Sequence, residues 1–156
     1  MYRRIVKQKV IKTFKGLSDG QWDHLVSQLA DDFEYRFVGS NALGGTRTSK
    51  TDMVTWTNRV TELLPDARFD VRDVVVAGPP WNTTVFTYAT VSSGEYQNEL
   101  FQRTKIRWGR LVEILTMEDL DILNGHLAEL ASKGVATADA EAITSGPVTA
   151  AQLPQA

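Results

Sequence analysis

Residues 95–117, EYQNELFQRTKIRWGRLVEILTM, carry the pattern that decides the fold. Side chains alternate over residues 95–108, where the more apolar set is Tyr96, Asn98, Leu100, Gln102, Thr104, Ile106 and Trp108. Because successive side chains of a strand point to opposite faces, this period of two predicts a long, half-buried strand. Gly109 marks a turn and residues 111–117 predict a second strand, so the stretch predicts an antiparallel hairpin.

The segments on either side complete an α+β order. Two further strands are predicted within residues 67–91, divided by turn signals at residues 78–80 and 92–94, and a shorter strand is predicted at residues 33–38. Apolar spacings of three and four predict helices over residues 6–17, 22–29, 53–64 and 120–130. Ser49 and Asp52 resemble a capping box before the third helix, and Pro65 ends it. The predicted order is ααβαββββα.

Length and composition favour one globular domain. The chain has 156 residues, 42% of them hydrophobic and 23% charged, with a net charge of −2 and scattered basic residues. We therefore predict no nucleic-acid partner. No run of about 18 apolar residues and no leader-like N-terminus is present, which predicts no membrane association and a cytoplasmic location.

Cysteine is absent, which excludes disulfides and thiolate chemistry. The glycine-rich stretch at residues 39–46 lacks the spacing of a phosphate-binding loop, and no metal-binding motif occurs. We predict no metal site and no cofactor.

The predicted domain covers residues 1–134, and residues 135–156 form a separate low-complexity tail. The tail is rich in alanine, threonine, proline and glutamine and has few large apolar residues. Such a segment cannot bury enough surface to fold alone. We predict that it is flexible, the alternative being that it is laid over a neighbouring element.

Several short stretches resemble one superfamily. They are Leu64-Pro65-Asp66 followed by a turn at residues 78–81, YQNE at residues 96–99, and GRLVE at residues 109–113 with Asp119 ten residues after the glycine. Together with the element order over residues 1–134, they resemble nuclear transport factor two, ketosteroid isomerase and the SnoaL-like polyketide cyclases. The resemblance implies a cone-shaped, curved antiparallel sheet with a mixed edge, wrapped around N-terminal helices and enclosing one pocket. Its members include isomerases, dehydratases, cyclases, epoxide hydrolases and proteins without catalysis, so the fold alone does not name a reaction.

The resemblance points to Asp119 as the catalytic acid or base. It matches the aspartate that SnoaL-like cyclases use to move a proton at an enolisable carbon, a role that needs a desolvated carboxyl. The alternative is that Asp119 caps the last helix. The strand facing it carries Arg103 and Lys105 where those cyclases place a glutamine and a histidine, and Thr116 stands where the epoxide hydrolases place an acid.

Other candidates would bind the ligand. By resemblance to ketosteroid isomerase, Tyr35 or Tyr88 could donate to an oxyanion and Glu113 could supply a carboxyl, although Glu113 between Val112 and Ile114 also fits the wet face of a strand. Asn98 and Gln102 are amides on the apolar face of the long strand and need partners or a ligand. Trp56 on the third helix is the tryptophan expected to line the pocket.

Two functional hypotheses follow. The first is a proton-transfer enzyme of the isomerase, cyclase or dehydratase type, acting on a small, largely apolar, carbonyl-bearing molecule. The second is a non-catalytic ligand-binding or accessory dimerisation module. In either case we predict a homodimer formed through the sheet, because sheets in the resembled superfamily pair face to face.

Overall fold

The computed structural model describes residues 1–145 as an α+β fold with N-terminal helices, a mixed sheet of six strands and a C-terminal helix. The helices are α1 (Tyr2–Ser18), α2 (Trp22–Ser27), α3 (Lys50–Leu63) and α4 (Leu120–Ser132). The strands are β1 (Leu29–Phe37), β2 (Gly45–Arg47), β3 (Arg68–Ala77), β4 (Thr83–Ser93), β5 (Tyr96–Arg107) and β6 (Arg110–Glu118). The predicted order is confirmed, with β2 and a 3₁₀ turn at Ala136–Asp139 as additions.

The sheet pairs β1, near the start of the chain, with β6, which lies about 80 residues later. Its strand order is β2-β1-β6-β5-β4-β3, and every neighbouring pair is antiparallel except β1 and β6, which are parallel. Register irregularities interrupt β1, β3 and the pairing of β5 with β6. Such irregularities bend a strand and increase its twist, as a sheet that curves around helices requires.

The two faces of the sheet differ in their surroundings. Side chains of the inner face pack against the helices in one main core, which includes Tyr35, Val91, Leu100 and Ile114. The outer face carries the alternate side chains, among them Phe86 and Phe101, which are half-exposed. The period-two pattern therefore separates the core from an uncovered face.

Local signals explain how α3 is held over the inner face. The Ser49 side chain accepts a hydrogen bond from the Asp52 N–H, as the capping box predicted. Met53, Trp56, Val60 and Leu63 are spaced by three and four residues and are all buried. The predicted amphipathic helix is confirmed.

The stretch predicted as a glycine-rich loop is partly core and partly strand. Ala42 and Leu43 are buried, and Gly45–Arg47 pairs with β1 in the register Tyr35↔Arg47. A three-residue strand has too little alternation to be recognised alone, because it exists through its pairing with β1.

The segment after α4 returns to this edge of the sheet. The Ser145 N–H donates to the Thr46 carbonyl at 2.9 Å, and the Ser145 hydroxyl donates to the Asp52 carboxylate at 2.5 Å. The Arg59 guanidinium donates to the Glu141 carbonyl at 2.7 Å. Residues 141–145 thus lie over β2 and α3, which matches the alternative that the tail is laid over a neighbouring element. The tail was predicted over residues 135–156, and its part at residues 146–156 lies outside the described residues.

Within residues 1–145, none of the helices combines the length and the apolar character needed to cross a bilayer.

Candidate functional site

The inner cavity, as we call it, lies between the inner face of the sheet and helices α1, α2 and α3. Its volume is about 50 Å³. The wall is largely aromatic and aliphatic, with Trp22, Tyr35, Phe37 and Trp56 on one side. Its polar side chains are few, and they come mainly from β5 and β6.

Glu118 contributes the carboxyl group of this cavity. On β6, Ile114 and Thr116 are buried on the inner face, and Glu118 follows two residues later at the end of the strand. It lines the inner cavity, and among the described lining residues it is the sole acidic one. Glu118 was not among the residues predicted from the sequence, although strand parity from Ile114 and Thr116 places it on the inner face.

A short hydrogen-bond chain holds this carboxyl group. The Tyr96 hydroxyl donates to Glu118 Oε1 at 2.9 Å. Asn98 Nδ2 donates in turn to the Tyr96 hydroxyl oxygen at 2.8 Å and to the Asp119 carbonyl at 2.9 Å. Asn98, predicted as a pocket residue, therefore supports Tyr96 and does not line the inner cavity.

Burial tunes the acidity of Glu118. Desolvation raises its pKa from 4.5 to about 7, and the hydrogen bond from Tyr96 opposes that rise. The pKa of Tyr96 is raised in turn, first by burial and then by the nearby Glu118 charge, so the phenol stays protonated. A carboxyl group that titrates near neutrality can both take and return a proton at physiological pH.

Tyr35 and Trp56 form the aromatic wall of the cavity. Their ring centroids are 4.9 Å apart, and the Trp56 indole N–H donates to the Leu43 carbonyl at 2.9 Å. Burial raises the pKa of Tyr35, so its hydroxyl also stays protonated. Both residues line the inner cavity. Trp56 was expected to line the pocket, and Tyr35 was expected to donate to an oxyanion, a role that stays a prediction.

A buried guanidinium lies behind this wall. The Arg47 side chain is completely buried, and its guanidinium carbon is 4.6 Å from the Trp56 ring centroid and 5.4 Å from that of Tyr35. Its Nη1 donates to the carbonyls of Gly44 and Ile143, both at 2.9 Å, whereas Nε and Nη2 have no partner within residues 1–145. Burial lowers the pKa of Arg47 to about 10, so it remains a cation near neutral pH.

Gln102 lines the inner cavity from β5. Its Nε2 donates to the Thr116 hydroxyl at 3.0 Å, and its Oε1 accepts from the Thr104 hydroxyl at 3.3 Å. The Gln102 amide, which was predicted to need a partner, thus forms hydrogen bonds to side chains of β5 and β6 and still faces the inner cavity.

Asp119 lies at the surface as the cap of α4. Its carboxylate accepts hydrogen bonds from the N–H groups of Asp121 at 3.0 Å and Ile122 at 3.3 Å. The side chain is exposed and is not among the residues lining the inner cavity. This geometry favours the capping interpretation over the resemblance to the cyclase aspartate.

Tyr88 and Glu113, the other two candidates, lie on the outer face of the sheet. The Tyr88 hydroxyl donates to Glu99 at 2.6 Å, and its ring stacks on Phe101. Glu113 pairs with Arg103, and its second oxygen is 3.7 Å from Lys105 Nζ. Neither residue lines the inner cavity, because strand parity turns both away from the helices.

The site carries no metal-binding constellation in the described part of the chain, where three or more histidine, aspartate or glutamate side chains nowhere gather around one point. Its chemical groups are the Glu118 carboxyl, the Tyr35 phenol and the Gln102 amide, with the hydroxyls of Thr13 and Thr116, in an apolar enclosure.

Comparison with solved structures shows the same fold in proteins of low identity. PrhC from Penicillium brasilianum NBRC 6234 is 12% identical, with a TM-score of 0.72 over 88% of this chain and 95% of that one. TerC, crystallised with polyporic acid, is 16% identical, with a TM-score of 0.61 over 76% and 94%. An NTF2-like protein of unknown function from Burkholderia pseudomallei K96243 is 15% identical, with a TM-score of 0.62 over 74% and 91%.

No curated protein matches the sequence. The sequence profile of the SnoaL-like domain, in contrast, matches residues 10–119, which include β6 and most of the inner cavity. The chain therefore belongs to the SnoaL-like domain family, and it shares its fold with NTF2-like proteins.

Proposed function

We propose that this protein is a proton-transfer enzyme for a small, largely apolar, carbonyl-bearing molecule, with Glu118 rather than Asp119 as the acid and base. The observation that carries the proposal is a carboxyl group with a pKa of about 7 in an apolar cavity. General acid-base catalysis is most effective when the pKa of the group lies near the working pH. Glu118 meets that condition by burial.

The proposed reaction step uses these groups in the following way. Ionised Glu118 takes a proton from the carbon next to the substrate carbonyl; the C–H electron pair forms a carbon–carbon double bond, and the carbonyl oxygen becomes an enolate oxygen. Protonated Glu118 then returns the proton to the same molecule, at a different carbon in an isomerisation. Tyr96 holds the carboxyl group during both transfers.

Tyr35 is the proposed donor to the enolate oxygen. It is a protonated phenol on the wall of the same cavity; burial raises its pKa, and a hydrogen bond with Thr116 and then the Arg47 cation behind it act in the opposite direction. A phenol beside a cation is a stronger hydrogen-bond donor to developing negative charge. Arg47 in this proposal is a positioning residue, because it acts through Tyr35.

The fold comparison supports a small-molecule role. TerC, which shares the fold, was crystallised with polyporic acid, a small organic molecule. The similarity is one of fold, so the reaction proposed for this chain depends on its own cavity.

The homodimer is also part of this proposal. Val75, Phe86, Phe101 and Met117 are about half exposed and share the outer face of β3 to β6. An exposed apolar patch of this kind marks an interaction surface, and a second copy would bring the same patch to it.

A test needs a substrate that reports a desolvated base. 5-Nitrobenzisoxazole opens to a coloured phenolate when a base removes its isoxazole proton, so absorbance follows the reaction directly. We expect the protein to accelerate this opening over buffer, with a rate that rises with pH through about 7 as Glu118 ionises. Glu118→Gln should reduce the rate to background.

Asp119→Asn is the matched control, because it changes the neighbouring carboxylate and keeps an oxygen that can cap α4. We expect it to retain the activity. If Glu118→Gln keeps the activity and Asp119→Asn loses it, the assignment of Glu118 as the base is contradicted. If the wild-type protein does not accelerate the opening, the inner cavity is a ligand-binding site without this catalysis.

A further inference from the structure

A second, larger cavity opens beside the inner one, between α1 and the end of the β5–β6 hairpin. We call it the mouth chamber. Its volume is about 200 Å³, four times that of the inner cavity. The walls are mostly aliphatic, with Ile5, Val6 and Val10 from α1 facing Ile106, Leu111 and Ile114 from the sheet.

The mouth chamber and the inner cavity share a wall. Thr13, Phe14, Leu25 and Gln102 line both spaces. The inner cavity alone is well below the several hundred Å³ of typical small-molecule pockets. A molecule that reaches Glu118 through this wall would keep most of its body in the mouth chamber, because the inner cavity is too small to hold it.

The polar groups of the mouth chamber are mostly satisfied within the protein. The Tyr2 and Thr83 hydroxyls are 2.5 Å apart, and Gln28 Nε2 donates to the His24 carbonyl. Lys9 is the single charged residue lining the chamber within residues 1–145, and in that part of the chain it forms no ion pair. The chamber thus offers an apolar channel with one free cation at its exposed edge.

Trp108 lies at the rim of the mouth chamber in a left-handed backbone conformation, which is unusual for a bulky residue. It occupies the first position of the two-residue turn between β5 and β6, with φ of 49°, followed by Gly109 with φ of 79°. Turns of this type favour Asn-Gly, and a positive φ is unusual for a bulky residue. The Trp108 ring lies 5.9 Å from that of Trp81, and its backbone N–H donates to the Pro80 carbonyl at 2.9 Å, but the side chain is still 70% exposed and Trp81 is 58% exposed, so this contact does not bury it. An exposed indole at the entrance of a cavity is suited to cover an apolar ligand.

We propose that the mouth chamber binds the aliphatic chain of a single-chain carboxylate, with Trp108 covering the chain and Lys9 pairing with the acid group at the rim. A flexible chain fits a larger space joined to a smaller one past a wall of side chains, whereas the free cation selects an acid over an alcohol or an amine. Binding of the carboxylate does not depend on the proposed function, because it does not require Glu118 to react. Only the further step of making this molecule the substrate rests on the proposed function.

Isothermal titration calorimetry with decanoate, decanol and decylamine tests the proposal. We expect decanoate to bind about threefold tighter than decanol, as an exposed ion pair allows, and decylamine to bind most weakly. Lys9→Met should remove the preference for decanoate over decanol, and Lys9→Glu should favour decylamine. Lys12→Met is the matched control, because Lys12 lies on the same helix but does not line the chamber.

Trp108→Asn separates binding from folding. Asparagine suits the left-handed turn, so the melting temperature should hold or rise, while the affinity for decanoate falls about five- to tenfold. Equal affinity for the three probes, undiminished binding by Trp108→Asn, or an equal loss in Lys12→Met would overturn the proposal. Repeating the titration with Glu118→Gln tests binding independently of catalysis. That variant should bind decanoate whether or not Glu118 is the base.

Discussion

Replacing Glu118 with glutamine tests the electrostatics of the inner cavity through the stability of the protein. The pKa of Glu118 is about 7 in the folded chain, against an ordinary value of 4.5. Between these two pH values the folded state holds a proton that the unfolded state has released, so stability falls as the pH rises. Below 4.5 the contribution of the protonated group is fully present, and above 7 it is lost. Glu118→Gln carries no such proton and should not show this loss.

The magnitude follows from the same two values. One pKa unit corresponds to about 1.4 kcal/mol, so the full effect is on the order of 3 kcal/mol. Part of it is already lost at pH 5, which leaves roughly 2.5 kcal/mol between pH 5 and pH 8 as an upper value. The free energy of unfolding of Glu118→Gln relative to wild type should therefore increase by up to this amount over the interval.

Urea unfolding followed by tryptophan fluorescence at pH 5, 6, 7 and 8 measures this difference. Tyr96→Phe is the companion variant, because it keeps the burial of Glu118 and removes the hydrogen bond that stabilises its charged form. A hydrogen bond to a charged group is worth about 1.5–3 kcal/mol, so in Tyr96→Phe the fall in stability should extend one to two pH units higher. A stability difference between Glu118→Gln and wild type that is the same at every pH would refute the raised pKa and, with it, the tuning by burial.

Three further predictions concern the rest of the fold. Asp119→Ala should cost about 1 kcal/mol in urea unfolding while leaving the opening of 5-nitrobenzisoxazole intact, because the carboxylate caps α4; a loss of activity at full stability would contradict the capping role. Phe101→Glu places a charge in the exposed outer patch and should convert a dimer to a monomer in light scattering, whereas a wild-type monomer at micromolar concentration would remove the dimer. Removing residues 141–156 should lower the melting temperature by several degrees, because Arg47 and Arg59 lose the carbonyls of Ile143 and Glu141, and an unchanged value would show that these contacts contribute little.

Strand parity explains both what the sequence predicted about the site and what it missed. The alternation along β5 correctly placed Gln102 on the inner face, since side-chain direction in a strand is a local property. The same rule applied to β6 puts Ile114, Thr116 and Glu118 together on one face. The resemblance directed attention to Asp119, one residue later, where the strand has ended and the backbone has turned to begin α4.

The sequence does not show which atoms surround each ionisable side chain in the folded protein. Glu113 and Glu118 are both glutamates on β6, yet one pairs with Arg103 and Lys105 on the outer face and the other is partly buried beside Tyr96. Their difference depends on which atoms the fold brings around them. The buried cation of Arg47 is a similar case, since its carbonyl partner Ile143 is 96 residues away along the chain.

The sequence by itself determined the order of the helices and of all strands but β2, the face of each that becomes buried, and the cap at Ser49, because all of these follow from side chains within a few residues of one another. It left Asp119 open between a catalytic group and the cap of α4, and the structure favours the cap. Tertiary structure alone decided that β1 lies parallel to β6, which brings Tyr35 beside Ile114 and into the same cavity as Glu118. It also set the acidity of Glu118, because a pKa near 7 for a carboxyl group arises from the loss of water around it, and that loss exists only once distant strands and helices have enclosed it.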